Sequence, residues 1–300
     1  MKRLALIISF VTLTVATVGA QEVATINPDL RTAAMGDASV GVSGGRFAIY
    51  ENAAAALFDY KRIQIGFDYS PWKNSGSAGN YYVASGYFSI NEKHTLEAGT
   101  RILKQPKTNG YRPLEASADV AYALLVHDCA GVAVTAHYYH GAYGKGVNYN
   151  ALGFDLSTYA QLPTDKMADG SWVAVGAKIA DIGFAFGKQS SMLPSRASAG
   201  AALCVPIGES HEILGSVDLG YRFAPKGSGS FGAGIGAEYT LMQLLSFRAG
   251  YHVGDRHGLD YATVGAGLNF MMLKVDFAYM IAPKNSPLRN VYGISVGVGF

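Results

Sequence analysis

Beyond its first twenty residues, the 300-residue chain has no apolar run long enough for a membrane-crossing helix, which needs about 20 consecutive apolar residues. Charge is also sparse, at 15% of residues, and the 24 basic side chains fall to 22 once Lys2 and Arg3 are set aside, matching the 22 acidic ones. A neutral chain lacks the basic field that nucleic acid selects. There are only two cysteines, Cys129 and Cys204. They fall near the same end of non-adjacent extended segments, so no disulfide is expected. No Gly-x-Ser-x-Gly elbow occurs, and the Gly-x-Gly-x-Gly of Gly232 to Gly236 precedes no helix. Nucleophilic catalysis and dinucleotide binding are therefore unsupported. His137 and His140 are three apart, which on a strand sends them to opposite faces and prevents them from sharing one ion. No enzyme activity, metal or cofactor is expected. The exception left open is a barrel hydrolase whose Ser, His and acid come from different strands.

What the chain does have is apolar residues (49%), 37 glycines and 19 tyrosines. Residues 1–20 open with Lys2 and Arg3, continue apolar from Leu4 to Val18 and end Val18-Gly19-Ala20; this reads as a secretory signal peptide. At the other end, Tyr292, Ile294, Val296, Val298 and Phe300 alternate with Gly293, Ser295, Gly297 and Gly299. A strand has a side-chain period of two, so one face is apolar and the other nearly bare. About fourteen such segments follow Lys61, at 61–69, 80–90, 93–105, 114–127, 131–142, 149–162, 171–182, 195–206, 211–223, 230–240, 244–254, 259–270, 272–282 and 290–300. Each is near the ten-residue length of a tilted membrane strand. Alternate connections are tight, as at 91–92, 128–130, 207–210, 241–243 and 271, and the others are longer, with 163–170 too long for its place. The fold expected is a transmembrane antiparallel β-barrel of about 14 strands over residues 61–300, with its short turns periplasmic.

Charged residues keep to one stripe: Arg101, Glu115, Asp119, Asp155, Lys178, Asp218, Glu238, Arg248, Lys274 and Asp276. A Lys or Arg facing lipid at mid-depth costs about 2–4 kcal/mol, so this stripe must line the lumen. Both signs occur, and mutual pairing is the simplest arrangement. Glycines share the stripe, at Gly232, Gly234, Gly236, Gly265, Gly267, Gly293, Gly297 and Gly299. Strand glycine marks a close approach of other backbone. The natural candidate is the segment 21–60, which shows no alternation and reads as short helical turns and loops, either inside the barrel as a plug or hatch or covering its periplasmic end. The longer connections 70–79, 106–113 and 183–194 form the candidate partner-facing surface, with Trp72, Lys73, Lys107, Tyr111, Tyr143 and Lys188 as contacts and Tyr138, Tyr139 and Tyr149 beside them. His252 and His257, near Asp255, Arg256 and Asp260, are expected in a solvated polar rim.

Two N-terminal stretches carry a family resemblance. Asp29-Leu30-Arg31-Thr32-Ala33-Ala34-Met35-Gly36-Asp37-Ala38 and Ala48-Ile49-Tyr50-Glu51-Asn52-Ala53-Ala54-Ala55-Ala56-Leu57 resemble the N-terminal signature of the PorV/PorQ outer-membrane proteins. Later matches are Leu193-Pro194-Ser195-Arg196-Ala197-Ser198-Ala199-Gly200, Leu245-Ser246-Phe247-Arg248-Ala249-Gly250-Tyr251, Val264-Gly265-Ala266-Gly267-Leu268 and Val275-Asp276-Phe277-Ala278-Tyr279. Ala53 stands where that family usually has Pro. The resemblance implies a fourteen-stranded barrel related in fold to FadL transporters. It also implies a non-enzymatic scaffold or cargo-receiving role in type IX secretion, with secretion subunits or exported proteins bearing a C-terminal signal domain as partners, alongside outer-membrane lipid. The alternative is FadL-like transport of a hydrophobic small molecule through a lateral opening.

Overall fold

The computed structural model describes residues 22–74, 77–107, 110–164, 166–186, 193–254, 260–284, 286 and 289–300. The segment read as a signal peptide lies outside them. Fourteen strands run in chain order: β1 (Ile63–Asn74), β2 (Ser77–Asn91), β3 (His94–Lys104), β4 (Leu114–His127), β5 (Ala130–Gly144), β6 (Val147–Pro163), β7 (Trp172–Phe186), β8 (Arg196–Ile207), β9 (His211–Arg222), β10 (Ser230–Leu241), β11 (Leu245–Gly254), β12 (Tyr261–Phe270), β13 (Leu273–Ile281) and β14 (Tyr292–Gly299). Each pairs antiparallel with its sequence neighbours, and β1 pairs with β14 to close the barrel. At the seam Phe300 N–H donates to the Ile63 carbonyl (2.9 Å), and the Phe300 carbonyl accepts from Arg62 N–H (2.8 Å). Closure leaves no sheet edge to satisfy, which lets strands cross a bilayer. Among the described residues no helix is long and apolar enough to cross a membrane.

Alternation sets the two surfaces. On β9, Val217, Leu219 and Tyr221 are exposed while Ser216 and Asp218 are buried; on β14, Tyr292, Ile294, Val296 and Val298 point out while Gly293 and Ser295 point in. The outside is thus apolar and the inside polar, the reverse of a water-soluble barrel. Tight turns form where the backbone reaches positive φ without glycine, as at Met242 (54°) and Gln243 (55°) between β10 and β11, and at Met271 (55°) between β12 and β13.

Two expected loops are instead mostly strand. β1 and β2 extend to Asn74 and from Ser77, and β5 and β6 leave only two residues between Gly144 and Val147. Antiparallel pairing continues past the lipid-facing zone, because hydrogen bonding does not depend on the alternation that marks that zone. Trp72 and Lys73 therefore belong to the ladder of β1, opposite Gly79 and Ala78.

Residues 22–58 form three one-turn helices, α1 (Glu22–Thr25), α2 (Leu30–Ala33) and α3 (Ala48–Glu51), followed by a 3-10 helix, Ala53–Phe58. Asp29 caps α2, its side chain accepting from Arg31 N–H at 2.9 Å, which satisfies one free helical donor. From Val23 to Ala56 this segment is mostly buried against the inward faces of the strands. Glycine makes the approach possible. A Cβ at Gly250 would lie 2.8 Å from Met35 Cα, one at Gly293 2.7 Å from the Leu30 side chain, and one at Gly41 2.6 Å from Ala201 Cα.

Candidate functional site

The charged stripe on the inward faces of the strands pairs with side chains of residues 22–58. Arg31 forms a two-pronged contact with Glu238, at 3.0 Å from Nε and 2.7 Å from Nη2. Glu238 also accepts from Arg248 Nε. Arg248 continues to Asp276 (2.7 Å), which accepts from Arg46 (2.5 Å). The result is a ladder of three guanidiniums sharing two carboxylates. Paired geometry of this kind is what makes buried charge tolerable. Next to it lies a polar cavity of about 550 Å3 lined by Asp29, Arg31, Arg46, Lys61, Arg248 and Lys274 among others. Asp59 sits at its margin, where it accepts from Lys61 N–H (3.0 Å) and Gln64 Nε2 (2.6 Å). Burial raises its carboxyl pKa above the ordinary value, against the lowering effect of its hydrogen bonds and of Lys274.

A second cluster occupies the opposite wall. His137 places Nδ1 2.6 Å from Asp119 Oδ1 and Nε2 3.0 Å from Asp155 Oδ2. Arg101 lies 3.4 Å from Asp119, and Lys178 2.8 Å from Asp155. Asp181 accepts from the Tyr139 hydroxyl at 2.6 Å. His137, Asp155 and Asp181 bring candidate ligand atoms within 4.8 Å of one another. A divalent ion does not fit there, since Asp155 Oδ2 already meets both Lys178 Nζ and His137 Nε2. Elsewhere single wall side chains hold segment backbone: Asp218 Oδ2 accepts from Ser39 and Val40 N–H (2.7 and 2.8 Å), Glu115 from Val23 N–H (3.0 Å), and Thr263 from Gly36 N–H (2.9 Å).

Arg101, Glu115, Asp119, Lys178, Asp218, Glu238, Arg248 and Asp276 are all buried on the inward face. The outer-loop candidates divide. Lys107 is exposed and Tyr111 half-buried, and Lys188 lies outside the described residues, as do Asp255, Arg256 and His257. Tyr143 packs against the interior cluster, and Tyr139 and Tyr149 are fully buried within it, so these three turn into the lumen and not toward a partner. Tyr138 alone of that group faces out, donating to Asn150 (2.9 Å). His252 is not in a solvated rim: it is buried against the Gly36 carbonyl (3.1 Å) and stacked on Tyr261. The sequence gives no lumen role to Arg31, Arg46, Tyr50 and Asn52, which reach the wall from a segment with no periodicity to interpret.

Among the described residues, β7 keeps its ladder on one side further than on the other. β7 pairs with β6 as far as Phe186, but with β8 only to Ala180–Arg196. A bulge at Ala180–Asp181, with Asp181 at φ 57°, turns β7 there; an extra residue of this kind bends a strand and interrupts its ladder. Ser195 Oγ caps the Asp181 carbonyl at 2.7 Å, and Leu193 turns inward against Gly153. Between β7 and the end of β9 lies a cavity of about 610 Å3, lined by Ile182, Gly183, Ser195, Tyr221, Phe223, Ala224 and Lys226 among others.

No family model matches this chain, and no curated protein matches it. Solved structures do. The toluene transporter TbuX of Ralstonia pickettii superposes with a TM-score of 0.60 at 12% identity, covering 93% of this chain and 99% of that one. The monoaromatic hydrocarbon channel CymD gives 0.59 at 14% identity, covering 94% and 98%. A FadL homologue of Pseudomonas aeruginosa gives 0.55 at 13% identity, covering 91% and 98%. At these identities the likeness establishes the fold.

Proposed function

We propose that this chain is a non-enzymatic outer-membrane barrel that passes a small hydrophobic molecule between the membrane and its interior, with residues 21–60 acting as an internal plug and residues 1–20 as the export signal. The observation that carries the reading is the early end of the β7–β8 ladder among the described residues, at Ala180–Arg196, beside a lateral cavity. A closed barrel has every reason to keep its ladder intact in lipid, where each unpaired backbone group costs several kcal/mol. Here the ladder gives way to a cavity with an apolar rim of Ile182, Tyr221 and Phe223. Such a cavity suits an apolar solute arriving sideways from the bilayer. The similar solved structures, described as a toluene transporter and a hydrocarbon channel, support the same reading. The secretion role implied by the N-terminal motif has less to draw on. Three of the aromatics expected to contact cargo, Tyr139, Tyr143 and Tyr149, pack into the interior cluster.

The test is flux of a labelled monoaromatic hydrocarbon into vesicles containing the full chain. Wild type is expected to accelerate entry over empty vesicles, and Ile182→Trp, which fills the cavity from its rim, to reduce the increment severalfold. Flux equal to empty vesicles, together with co-purification of exported proteins sharing a C-terminal domain, would replace transport with secretion.

A further inference from the structure

The His137 cluster does more than neutralise the wall, because the atoms that hold its charges also hold the N-terminal segment. Both ring nitrogens meet carboxylate oxygens, 2.6 Å from Asp119 and 3.0 Å from Asp155. Ionised carboxylates only accept, so both nitrogens must donate. The ring is therefore an imidazolium. Arg101, His137 and Lys178 are the cations that meet Asp119 and Asp155, and all five are buried. Without the ring proton one of those contacts becomes a lone pair facing a carboxylate, in a place where an uncompensated charge is costly.

Three members of the cluster reach the segment directly. Asp119 Oδ2 accepts from the Tyr50 hydroxyl (3.0 Å), Lys178 Nζ donates to the Tyr50 carbonyl (2.8 Å), and Arg101 donates to the Val23 carbonyl (3.4 Å) with its guanidinium 4.5 Å from the Tyr50 ring centre. The other charged and titratable neighbours are Tyr139 on β5, which accepts from Arg101 (3.1 Å), Tyr81 on β2 beside Arg101, Glu97 on β3 within electrostatic range of Lys178, and Glu51 of the segment itself. Among these groups none supplies a cation to replace the imidazolium.

We propose that protonated His137 is a latch that secures residues 23–52 inside the barrel, and that removing its proton loosens them. A neutral ring leaves one nitrogen lone pair facing a carboxylate. Asp119 and Asp155 then draw more heavily on Arg101 and Lys178, whose remaining donors hold Val23 and Tyr50. The latch is closed while the ring is charged and opens as pH rises. It holds whichever solute the barrel carries.

Hydrogen exchange on the full chain in lipid vesicles tests this. In wild type, amides of residues 46–52 should be protected at neutral pH and, after correction for intrinsic exchange, lose protection on alkalinisation by on the order of ten- to a hundredfold, the equivalent of one charge-assisted hydrogen bond. Trypsin cleavage after the buried Arg46 should rise in parallel. His137→Gln should show the loosened state at every pH, with no pH dependence, while amides of β14 on the far wall stay protected. Tyr50→Phe should weaken the latch but keep its pH dependence. A wild-type profile flat with pH overturns the proposal, as does His137→Gln retaining the wild-type profile. If His137→Gln does not insert, the wild-type titration decides alone.

Discussion

Asp218→Ala offers the sharpest measure of how firmly the wall holds the segment. Asp218 lies on the inward face of β9, and its Oδ2 is the acceptor for two consecutive backbone donors, Ser39 N–H at 2.7 Å and Val40 N–H at 2.8 Å. Truncation leaves both N–H groups buried without that acceptor. Each buried donor left unsatisfied costs about 1–3 kcal/mol, so the pair loses about 4 kcal/mol of local stability. At 1.4 kcal/mol per tenfold, that is roughly a thousandfold faster exchange at these two amides. Asp218→Asn keeps an oxygen but loses the charge, and the difference between charged and neutral acceptors places it at about ten- to a hundredfold. Leu219→Ala is the control, since Leu219 is the next residue and faces outward. Residue-resolved hydrogen exchange in lipid vesicles reads all three. Equal protection of Ser39 and Val40 in wild type and Asp218→Ala would refute the claim that this carboxylate secures the segment.

Three further outcomes follow from the same geometry. Gly41→Val should push the segment off β8, because even a Cβ there would stand 2.6 Å from Ala201 Cα; an overpacking cost of about 1–3 kcal/mol should appear as faster exchange through residues 38–44 with the barrel intact. Val217→Lys puts a cation on the lipid face of β9 and should lower the unfolding free energy in vesicles by about 2–4 kcal/mol if the site is at mid-depth, measured by urea titration. Asp59 favours its neutral form because burial raises its pKa. Its contribution is fully present below the unfolded carboxyl pKa and is lost as pH rises through the folded one. Asp59→Asn should therefore match or exceed wild type at neutral pH and abolish that part of the pH dependence, as read from exchange at Lys61 and Gln64.

The fold was legible because lipid enforces alternation residue by residue. An inward Asp218 between outward Val217 and Leu219 has one solution, and fourteen repetitions of that choice define a barrel. Where the constraint lapses, so does the reading. The ends of β1, β2, β5 and β6 continue beyond the alternating zone, and sequence took them for loops. Tyrosine misled for a different reason: its ring suits a membrane interface and its hydroxyl suits a buried network. Parity would have resolved Tyr139, which shares a face with His137 and Thr135. The partners of the lumen charges were not legible, since Arg31 meets Glu238 across 207 residues through a segment that carries no period.

The early end of the β7–β8 ladder also left a trace in the sequence. Lys178 and Asp181 are three apart, so a regular strand would send one of them to lipid at a cost of kilocalories. Both are buried in the lumen. Two inward charges at odd spacing require one extra residue between them, and that is the bulge at Ala180–Asp181. From it, β7 leaves β8 while keeping β6, Ser195 takes the freed Asp181 carbonyl, and the cavity opens beside Ile182. The residue that breaks the alternation thus joins the His137 cluster on one side and the lateral cavity on the other. A strained, function-bearing position is where a sequence is expected to depart from its own pattern. Asp181→Ala removes the acceptor of the Tyr139 hydroxyl but keeps the extra residue, so it should disturb the cluster while leaving the β7–β8 ladder short. Deleting Ala180 restores odd spacing to even and should drive β7 to pair with β8 beyond Arg196, closing the cavity and lowering hydrocarbon flux in vesicles. Undiminished flux after that deletion, with the longer ladder verified by exchange, would separate transport from the gap.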